Sequence, residues 1–142
     1  MGGETTKTYR DTGGDRQVIA AGGALHFASQ KAETKSADFT AAEGDVGQRI
    51  DIDTDAVVVT LPATVAGMAF TFVNAGADGT VGFSLSPAEL DKIMGCGLTA
   101  ADNKDLINTK ATAKKNDQVT ILGDGVNGWY IQRMVGTWAR EA

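Results

Sequence analysis

Short apolar segments with a period of two are the feature that most constrains what this chain can fold into. From Phe39 onward, large apolar side chains alternate with polar ones, and Gly, Asp or Asn residues separate the segments. Ile50 and Ile52 alternate with charged residues in this way, and Phe70 and Phe72 flank a threonine. A period of two places every second side chain on one face of a strand, where a core can cover it. The pattern therefore predicts a β-domain.

The spacing of the segments predicts the architecture of that domain. We expect a hairpin loop at 74–79 and another at 123–128, because both are rich in turn-forming residues. The sequence Ser-Pro-Ala-Glu at 86–89 is typical of a helix start and predicts one or two helical turns before Gly95. Strands are predicted at 48–53, 56–61, 68–73, 81–85, 105–109, 118–122 and 129–135. The expected fold class is all-β: a compact β-sandwich, jelly-roll or barrel of about eight short strands.

The first quarter of the chain differs from this domain in composition. Residues 1–36 are rich in Gly, Ala, Thr and charged residues and contain few large apolar groups. Val18-Ile19 and Leu25-His26-Phe27 are the exceptions, and we expect two short strands or one hairpin there. Such a segment buries little surface against itself, so a partner must order it. We therefore predict an extended N-terminal arm and linker at 1–36 and a β-domain at 37–142.

Composition also excludes several classes of protein. The apolar runs are far shorter than a membrane span, and no apolar segment follows a basic one near the N-terminus. A net charge of −5 argues against a broad basic face for nucleic acid. The one cysteine, Cys96, cannot form an internal disulfide, which favours a reducing compartment. We expect neither a membrane nor a nucleic acid as partner.

The core is small for the length of the chain. Leu, Ile, Val and Phe together number 30 of 142 residues, and much of the remaining hydrophobic content is Ala. A domain with few large apolar groups and exposed strand edges gains stability from association. We predict a homotrimer in which Phe70, Phe72 and Phe83 are buried within each protomer.

Residues 123–128 match the dinucleotide-binding pattern G-x-G-x-x-G letter for letter. That site needs a helix after the motif, so that the amides of its first turn hold the pyrophosphate. Here a strand-like segment that starts at Trp129 follows instead. The pattern is interpreted as a hairpin loop, and no cofactor is expected.

Other residues with chemical potential lack the partners that their chemistry requires. Asp51, Asp53 and Asp55 have the spacing of the first calcium ligands of an EF-hand, but the glycine and glutamate of that loop are missing. His26 is the single histidine, and Cys96 has no second ligand at metal spacing, so a buried or partly buried free thiol is expected. We predict no catalytic residues, no metal site and no enzymatic activity.

Aromatic side chains near the C-terminus are the strongest candidates for contacts. Trp129 and Tyr130 are adjacent in a strand, so they must point to opposite faces. One of them is expected in the core and the other at a contact surface, together with Trp138.

Three stretches of the sequence resemble small structural proteins of tailed bacteriophages. They are YRDTGGDRQVIAAGGAL, LPATVAGMAFTFVNAGADGTVGFSLSP and DKIMGCGLTAADNKDLINTKATAKKNDQVTILGDGVNGWYIQRMVGTW, about three quarters of the chain. The resemblance is to capsid decoration (cement) proteins and head fibre proteins. It implies a trimeric β-rich protein on the capsid exterior of a virion, made in the host bacterial cytoplasm, with an arm that reaches across capsomers.

This resemblance implies the major capsid protein as partner and the stabilisation of the shell by bridging its subunits as function. The residues expected at capsid or trimer contacts are Tyr9, Arg10, Arg16, Val18, Ile19, Trp129, Tyr130 and Trp138. The main alternative is a head-fibre or tail-associated adhesion protein that binds host surface glycans. A small trimeric β-enzyme, for which only Asp124 and Arg133 are suggestive, and a carbohydrate-binding module are further alternatives.

Overall fold

The computed structural model describes residues 31–142 and, before them, two short strands. These are β1, Thr8–Arg10, and β2, Gln17–Ile19, which pair antiparallel with Tyr9 opposite Val18. Val18-Ile19 therefore lies in a strand, as expected, and its partner is β1. The expected strand at Leu25-His26-Phe27 lies outside the described residues. The chain divides into two compact units, Met1–Gln30 and Lys31–Ala142.

The second unit consists of two mixed sheets, which confirms the all-β prediction. The six-stranded sheet has the order β3-β5-β7-β11-β12-β9, and the five-stranded sheet has the order β13-β10-β8-β6-β4. A 3₁₀ turn at Glu43–Asp45 precedes β5. The strands are β3 Ala32–Lys35, β4 Phe39–Thr40, β5 Arg49–Ile52, β6 Val57–Thr60, β7 Ala69–Asn74, β8 Phe83–Ser86, β9 Lys92–Met94, β10 Leu106–Asn108, β11 Gln118–Gly123, β12 Gly128–Val135 and β13 Ala139–Arg140.

The first six strands of this unit alternate between the two sheets. β3, β5 and β7 lie in one sheet and β4, β6 and β8 in the other, and within each of these two sets the strands that follow one another pair in parallel. Parallel neighbours need a crossover between them, and here the crossover passes through the opposite sheet. The chain therefore winds as a flattened coil. β10 and β11 then add antiparallel to β8 and β7.

The core lies between the two sheets and follows the alternation seen in the sequence. Phe70, Phe72 and Phe83 are buried as predicted, with at most 2% of each side chain exposed. Ile50 and Leu85 contribute to the same core from β5 and β8. Aromatic rings also pack against one another in this core. The ring centroids of Phe70 and Trp129 are 5.4 Å apart, as are those of Phe83 and Trp138.

A buried polar network joins the sheets where β7 and β10 end. The side-chain amide of Asn74 donates to Oδ1 of Asn108 at 2.7 Å, and that of Asn108 donates to Oδ2 of Asp117 at 2.9 Å. All three residues are less than 5% exposed. Gly136 packs against Asp117 so closely that a Cβ there would lie 2.2 Å from the carboxylate. The three buried side chains of this network thus bond to one another, which offsets their desolvation.

Three local predictions were wrong. The loop at 74–79 does not form a hairpin, because β7 and β8 lie in different sheets and the chain crosses between them. Residues 87–90 form a turn instead of a helix, since Ser86 stays in β8 and the peptide nitrogen of Leu61 donates to its carbonyl. Residues 32–35, expected within the arm and linker of 1–36, form edge strand β3 and pair with β5. The prediction of a hairpin loop at 123–128 is confirmed, because this loop connects antiparallel strands β11 and β12.

Candidate interaction surface

Three loops meet at one side of the two-sheet unit. Loop 61–68 follows β6, loop 87–91 follows β8, and loop 124–127 joins β11 to β12. The first two return the chain from the five-stranded sheet to the six-stranded sheet, so they leave the molecule at the same side. We call these three loops together the three-loop cluster.

Thr64 links all three loops of the cluster. Its peptide nitrogen donates to the carboxylate of Asp91 at 2.7 Å, and its hydroxyl donates to the carbonyl of Gly128 at 2.6 Å. The same hydroxyl accepts from the peptide nitrogen of Gly125 at 3.1 Å. The peptide nitrogen of Gly67 adds a bond to the carbonyl of Gly123 at 3.0 Å. These bonds hold the loops in fixed positions relative to one another.

Asp124 orders the hairpin loop from within. Its Oδ1 accepts from the peptide nitrogens of Val126, Asn127 and Gly128, at 2.8, 2.8 and 2.9 Å. These N–H groups, with that of Val126 first, favour the ionised carboxylate and lower the pKa of Asp124 below its ordinary value. The carboxylate thus accepts hydrogen bonds from its own loop. A carboxylate that binds a substrate would need Oδ1 as an acceptor for the substrate instead.

The glycines of the G-x-G-x-x-G pattern have structural explanations. A Cβ at Gly123 would lie 2.3 Å from the carbonyl oxygen of Val65, so this position tolerates no side chain. Gly125 and Gly128 have φ values of +74° and +139°, which favour glycine. A strand follows, as predicted from the sequence, and the pattern therefore reflects the packing of the hairpin against loop 61–68.

The three-loop cluster exposes one large apolar side chain from each loop. Val65 is 50% exposed, and Leu90 and Val126 are each 79% exposed. The charged residues of these loops are Glu89, Asp91 and Asp124, and the loops contain no Lys or Arg. Asp91 is buried and Asp124 bonds within its own loop, so Glu89 is the exposed carboxylate of an otherwise apolar surface.

A shallow cleft of about 440 Å³ lies on the five-stranded sheet, lined by residues of β6, β8 and β10 and of the adjoining loops. An ion pair stands at one end, where Nζ of Lys110 is 2.6 Å from Oδ2 of Asp55. The Lys110 ammonium, followed by the peptide nitrogen of Gly82, lowers the pKa of Asp55. Asp105 and Glu141 line the cleft as well. At the Asp55 end of the cleft, the carboxylate of Asp55 accepts from both Lys110 and the peptide nitrogen of Gly82.

The three aromatic residues that were predicted as contacts differ in their exposure. Trp129 is fully buried and Tyr130 is 46% exposed, so the two point to opposite faces of β12 as expected. Trp138 is 9% exposed, packs edge-on against Phe83, and donates its indole N–H to the carbonyl of Val135 at 2.9 Å. Tyr130 is thus the residue of the three that presents its ring to solvent.

The expected contact residues of the N-terminal segment belong to the first compact unit. Tyr9 and Arg10 lie in β1, and Val18 and Ile19 lie in β2. Arg16 lies outside the described residues. The pairing of β1 with β2 brings four of these five residues onto neighbouring strands.

The three aspartates considered as metal ligands each bond to a different partner. Asp51 pairs with Arg49 at 2.7 Å, and Asp53 accepts from the hydroxyl of Thr54 at 3.0 Å, while Asp55 belongs to the cleft. Across residues 31–142, no three His, Cys, Asp or Glu side chains come together in a way that could hold a metal. The expectation of a buried or partly buried thiol was wrong, because Cys96 is exposed in a tight turn. His26 lies outside the described residues.

No protein-family model matches the chain, and a search of curated proteins finds no significant match either. Among the described residues, no helix is long and apolar enough to cross a membrane.

The three-loop cluster was missed in the sequence because its residues are scattered. Val65, Leu90 and Val126 lie in three loops, and only the alternation of strands between sheets brings those loops to one side. The one available signal was the presence of a large apolar residue within each turn-forming segment, where polar residues are usual.

Proposed function

We propose that this chain is a structural virion protein that binds the outside of a bacteriophage capsid and stabilises the shell by bridging its subunits. The observation that carries the proposal is the division of the chain into a compact two-sheet unit and a separate N-terminal unit of 30 residues. A bridging protein needs two attachment parts joined by a short connection, because the second contact then forms at high effective concentration. The resemblance to decoration proteins supports the same function.

Two properties of the two-sheet unit suit this role. Its core is continuous between the sheets, with side chains such as Ile50, Phe72 and Leu85 fully buried. Its three-loop cluster offers apolar side chains on loops that hydrogen bonds already order. A surface that is ordered before binding loses little conformational entropy when a partner covers it. We propose the major capsid protein as that partner and a homotrimer as the bound form.

The test is a binding experiment with particles of the parent phage prepared without this protein. Purified chain should saturate a fixed number of sites in cryo-electron images and raise the temperature at which the particles release DNA, because binding to the intact shell stabilises it by mass action. Absence of bound density and an unchanged release temperature would overturn the proposal.

A glycan-binding head-fibre or tail-associated protein is the second candidate function, and the exposure of Tyr130 on β12 favours it. An exposed aromatic ring can stack on a sugar face. Binding of host surface polysaccharide by the purified chain, lost in Tyr130→Ser and retained in Val135→Ser, would support adhesion over decoration. Val135 is the matched control because it is 41% exposed on the same strand.

A further inference from the structure

Strand β3 forms one outer edge of the six-stranded sheet. Among the strands that the structure describes, it pairs with β5 alone. The carbonyl of Lys31 accepts from the peptide nitrogen of Arg49 at 3.1 Å, so the odd-numbered residues of this segment face β5. Backbone groups alternate in direction along a strand, and the N–H and C=O groups of Ala32 and Thr34 therefore point away from β5. They form an open row of donors and acceptors at the edge of the sheet.

The side chains at this edge leave room for a further strand. Edge strands are commonly protected by charged side chains, by Pro or by a bulge. Ala32 and Thr34, whose backbone groups point outward, are small, uncharged and exposed. The charged residues of β3 are Glu33 and Lys35, and they pair with each other at 2.7 Å.

The opposite edge of the same sheet is covered by the chain itself. Strand β9 lies there, and Asp102 forms a bridge to Lys92 on it, with an ion pair of 2.7 Å between the two side chains. Gly95 and Leu98 form a second bridge just beyond β9. Of the two edges of this sheet, the one at β3 is thus left open, and it directly follows the N-terminal unit along the chain.

The N-terminal unit contains a strand pair of matching length, which we call the β1–β2 ribbon. Its strands have three residues each, compared with four in β3, and among the described strands they pair with each other alone. A two-stranded ribbon is marginally stable by itself and gains stability from a third strand. Residues 20–31 connect the ribbon to β3 and can span about 40 Å when extended, which is enough to reach a neighbouring copy.

We propose that the β1–β2 ribbon of one copy of this chain adds to the outer edge of β3 in a second copy, through main-chain hydrogen bonds to Ala32 and Thr34. The inference rests on the homotrimer of the proposed function, and it names the contact that joins the copies. Each copy has one ribbon and one open edge at β3, so the contact is heterologous. Three such contacts close into a ring when the third ribbon reaches the first edge.

The experiment measures self-association of the full chain by analytical ultracentrifugation. Thr34→Pro removes an outward N–H and no bond to β5, so it blocks the edge. Thr40→Pro is the matched control, because Ala41 donates to the carbonyl of Thr60 and the N–H of Thr40 therefore also points outward, on a strand of two residues. We expect trimers from the wild type and Thr40→Pro, and association at least tenfold weaker from Thr34→Pro. Thermal unfolding checks that the two-sheet unit folds in each variant.

A second variant disables the ribbon instead of the edge. Tyr9 and Val18 lie opposite each other, so their N–H groups point either toward the paired strand or to the two outer sides. Tyr9→Pro combined with Val18→Pro therefore breaks the ribbon or blocks both of its edges, and self-association should fall. A mixture of this variant with Thr34→Pro should form a dimer, because an intact ribbon then meets an intact β3 edge. A mixture that stays monomeric would overturn the inference.

The remaining outcomes separate this inference from the proposed function. If Thr34→Pro associates like the wild type, or if the wild type is a monomer, the copies are not joined at β3 and the inference is overturned. Binding of the wild type to undecorated particles of the parent phage is measured beside it, and positive binding together with either result means that only the inference fails. If the trimers form as expected but do not bind the particles, the proposed function fails and the contact between copies stands.

Discussion

At the scale of single residues, the carboxylate of Asp124 is the hydrogen-bond acceptor for three peptide nitrogens after β11. Asp124→Ala removes that acceptor, so we expect a lower melting temperature and weaker particle binding through disorder of loop 124–127. Asp53→Ala is the control, because the exposed carboxylate of Asp53 accepts one side-chain bond, from the neighbouring Thr54. Thermal unfolding of both variants beside the wild type measures the difference. Equal melting temperatures for Asp124→Ala and the wild type would contradict the prediction.

The same residue predicts a pH dependence with a definite sign. The pKa of Asp124 is lowered in the folded chain from the ordinary value of 3.8, chiefly by the N–H groups of Val126 and Gly128. A lowered folded pKa means that the unfolded chain binds the proton more tightly. The stabilisation is therefore complete above the ordinary pKa and is lost as the pH falls through the lowered value. The gap in melting temperature between wild type and Asp124→Ala should narrow from about pH 7 to about pH 2. A gap that stays constant over this range would contradict it.

Asn108 gives a second prediction at this scale. It bonds to both Asn74 and Asp117 in a network that is almost fully buried. Asn108→Ala leaves both partners desolvated without that bond, and we expect a loss of roughly 1–3 kcal/mol in the free energy of unfolding. Gln132→Ala, at an exposed amide on β12, is the control. Denaturant unfolding measures both, and a loss no larger than that of the control would show that the network contributes little.

Core residues were predictable from the sequence because burial in a strand repeats every second residue. Phe70, Phe72 and Phe83 were identified in this way. The location of Trp129 and Tyr130 on opposite faces of one strand was predicted by the same rule. The burial of Trp138 was not predictable. It depends on the return of the chain after β12 to the five-stranded sheet, which places its ring against Phe83.

At the scale of secondary-structure elements, the contact between loop 61–68 and the end of β11 depends on a position without a side chain. A Cβ at Gly123 would meet the backbone oxygen of Val65 at 2.3 Å, so Gly123→Ala must displace one of the two elements. We expect a loss of about 1–3 kcal/mol in the free energy of unfolding. Gly44→Ala is the matched control, since a Cβ there meets nothing within 4 Å. Calorimetric unfolding that is the same for both variants would contradict this account.

The sequence predicted the longer strands well and their connections poorly. The segments at 48–53, 68–73 and 118–122 correspond to β5, β7 and β11, because their alternation is clear over several residues. β4 and β13 have two residues each, which is too short for a period to be visible. The connection from β7 to β8 was misassigned because a loop rich in Gly and Asp suits a hairpin and a crossing between sheets equally.

At the scale of the whole molecule, the two units predict that shell binding and folding are separable. Deleting residues 2–28 should leave the melting temperature of the two-sheet unit unchanged, because its core is built from residues after 38. Under the proposed function, the same deletion should abolish stable occupancy of the particles, since one of two proposed attachment parts is lost. Calorimetry and cryo-electron imaging measure the two effects. Wild-type occupancy by the truncated chain would contradict the role given to the N-terminal unit.

The coiled path of β3 to β8 also has a consequence for the order of events during synthesis. From β3 to β6, each strand pairs with the strand two places along, so the first turns of the coil can form as soon as the ribosome releases them. The central position of β11 between β7 and β12 cannot be filled until the C-terminal third has been made. Until then, β7 has an unpaired edge in a half-built sheet, and closing it requires contacts between distant parts of the chain. Until β11 pairs with β7, the newly made chain keeps this edge exposed. A chain that ends before β11 should therefore aggregate instead of forming a smaller folded domain.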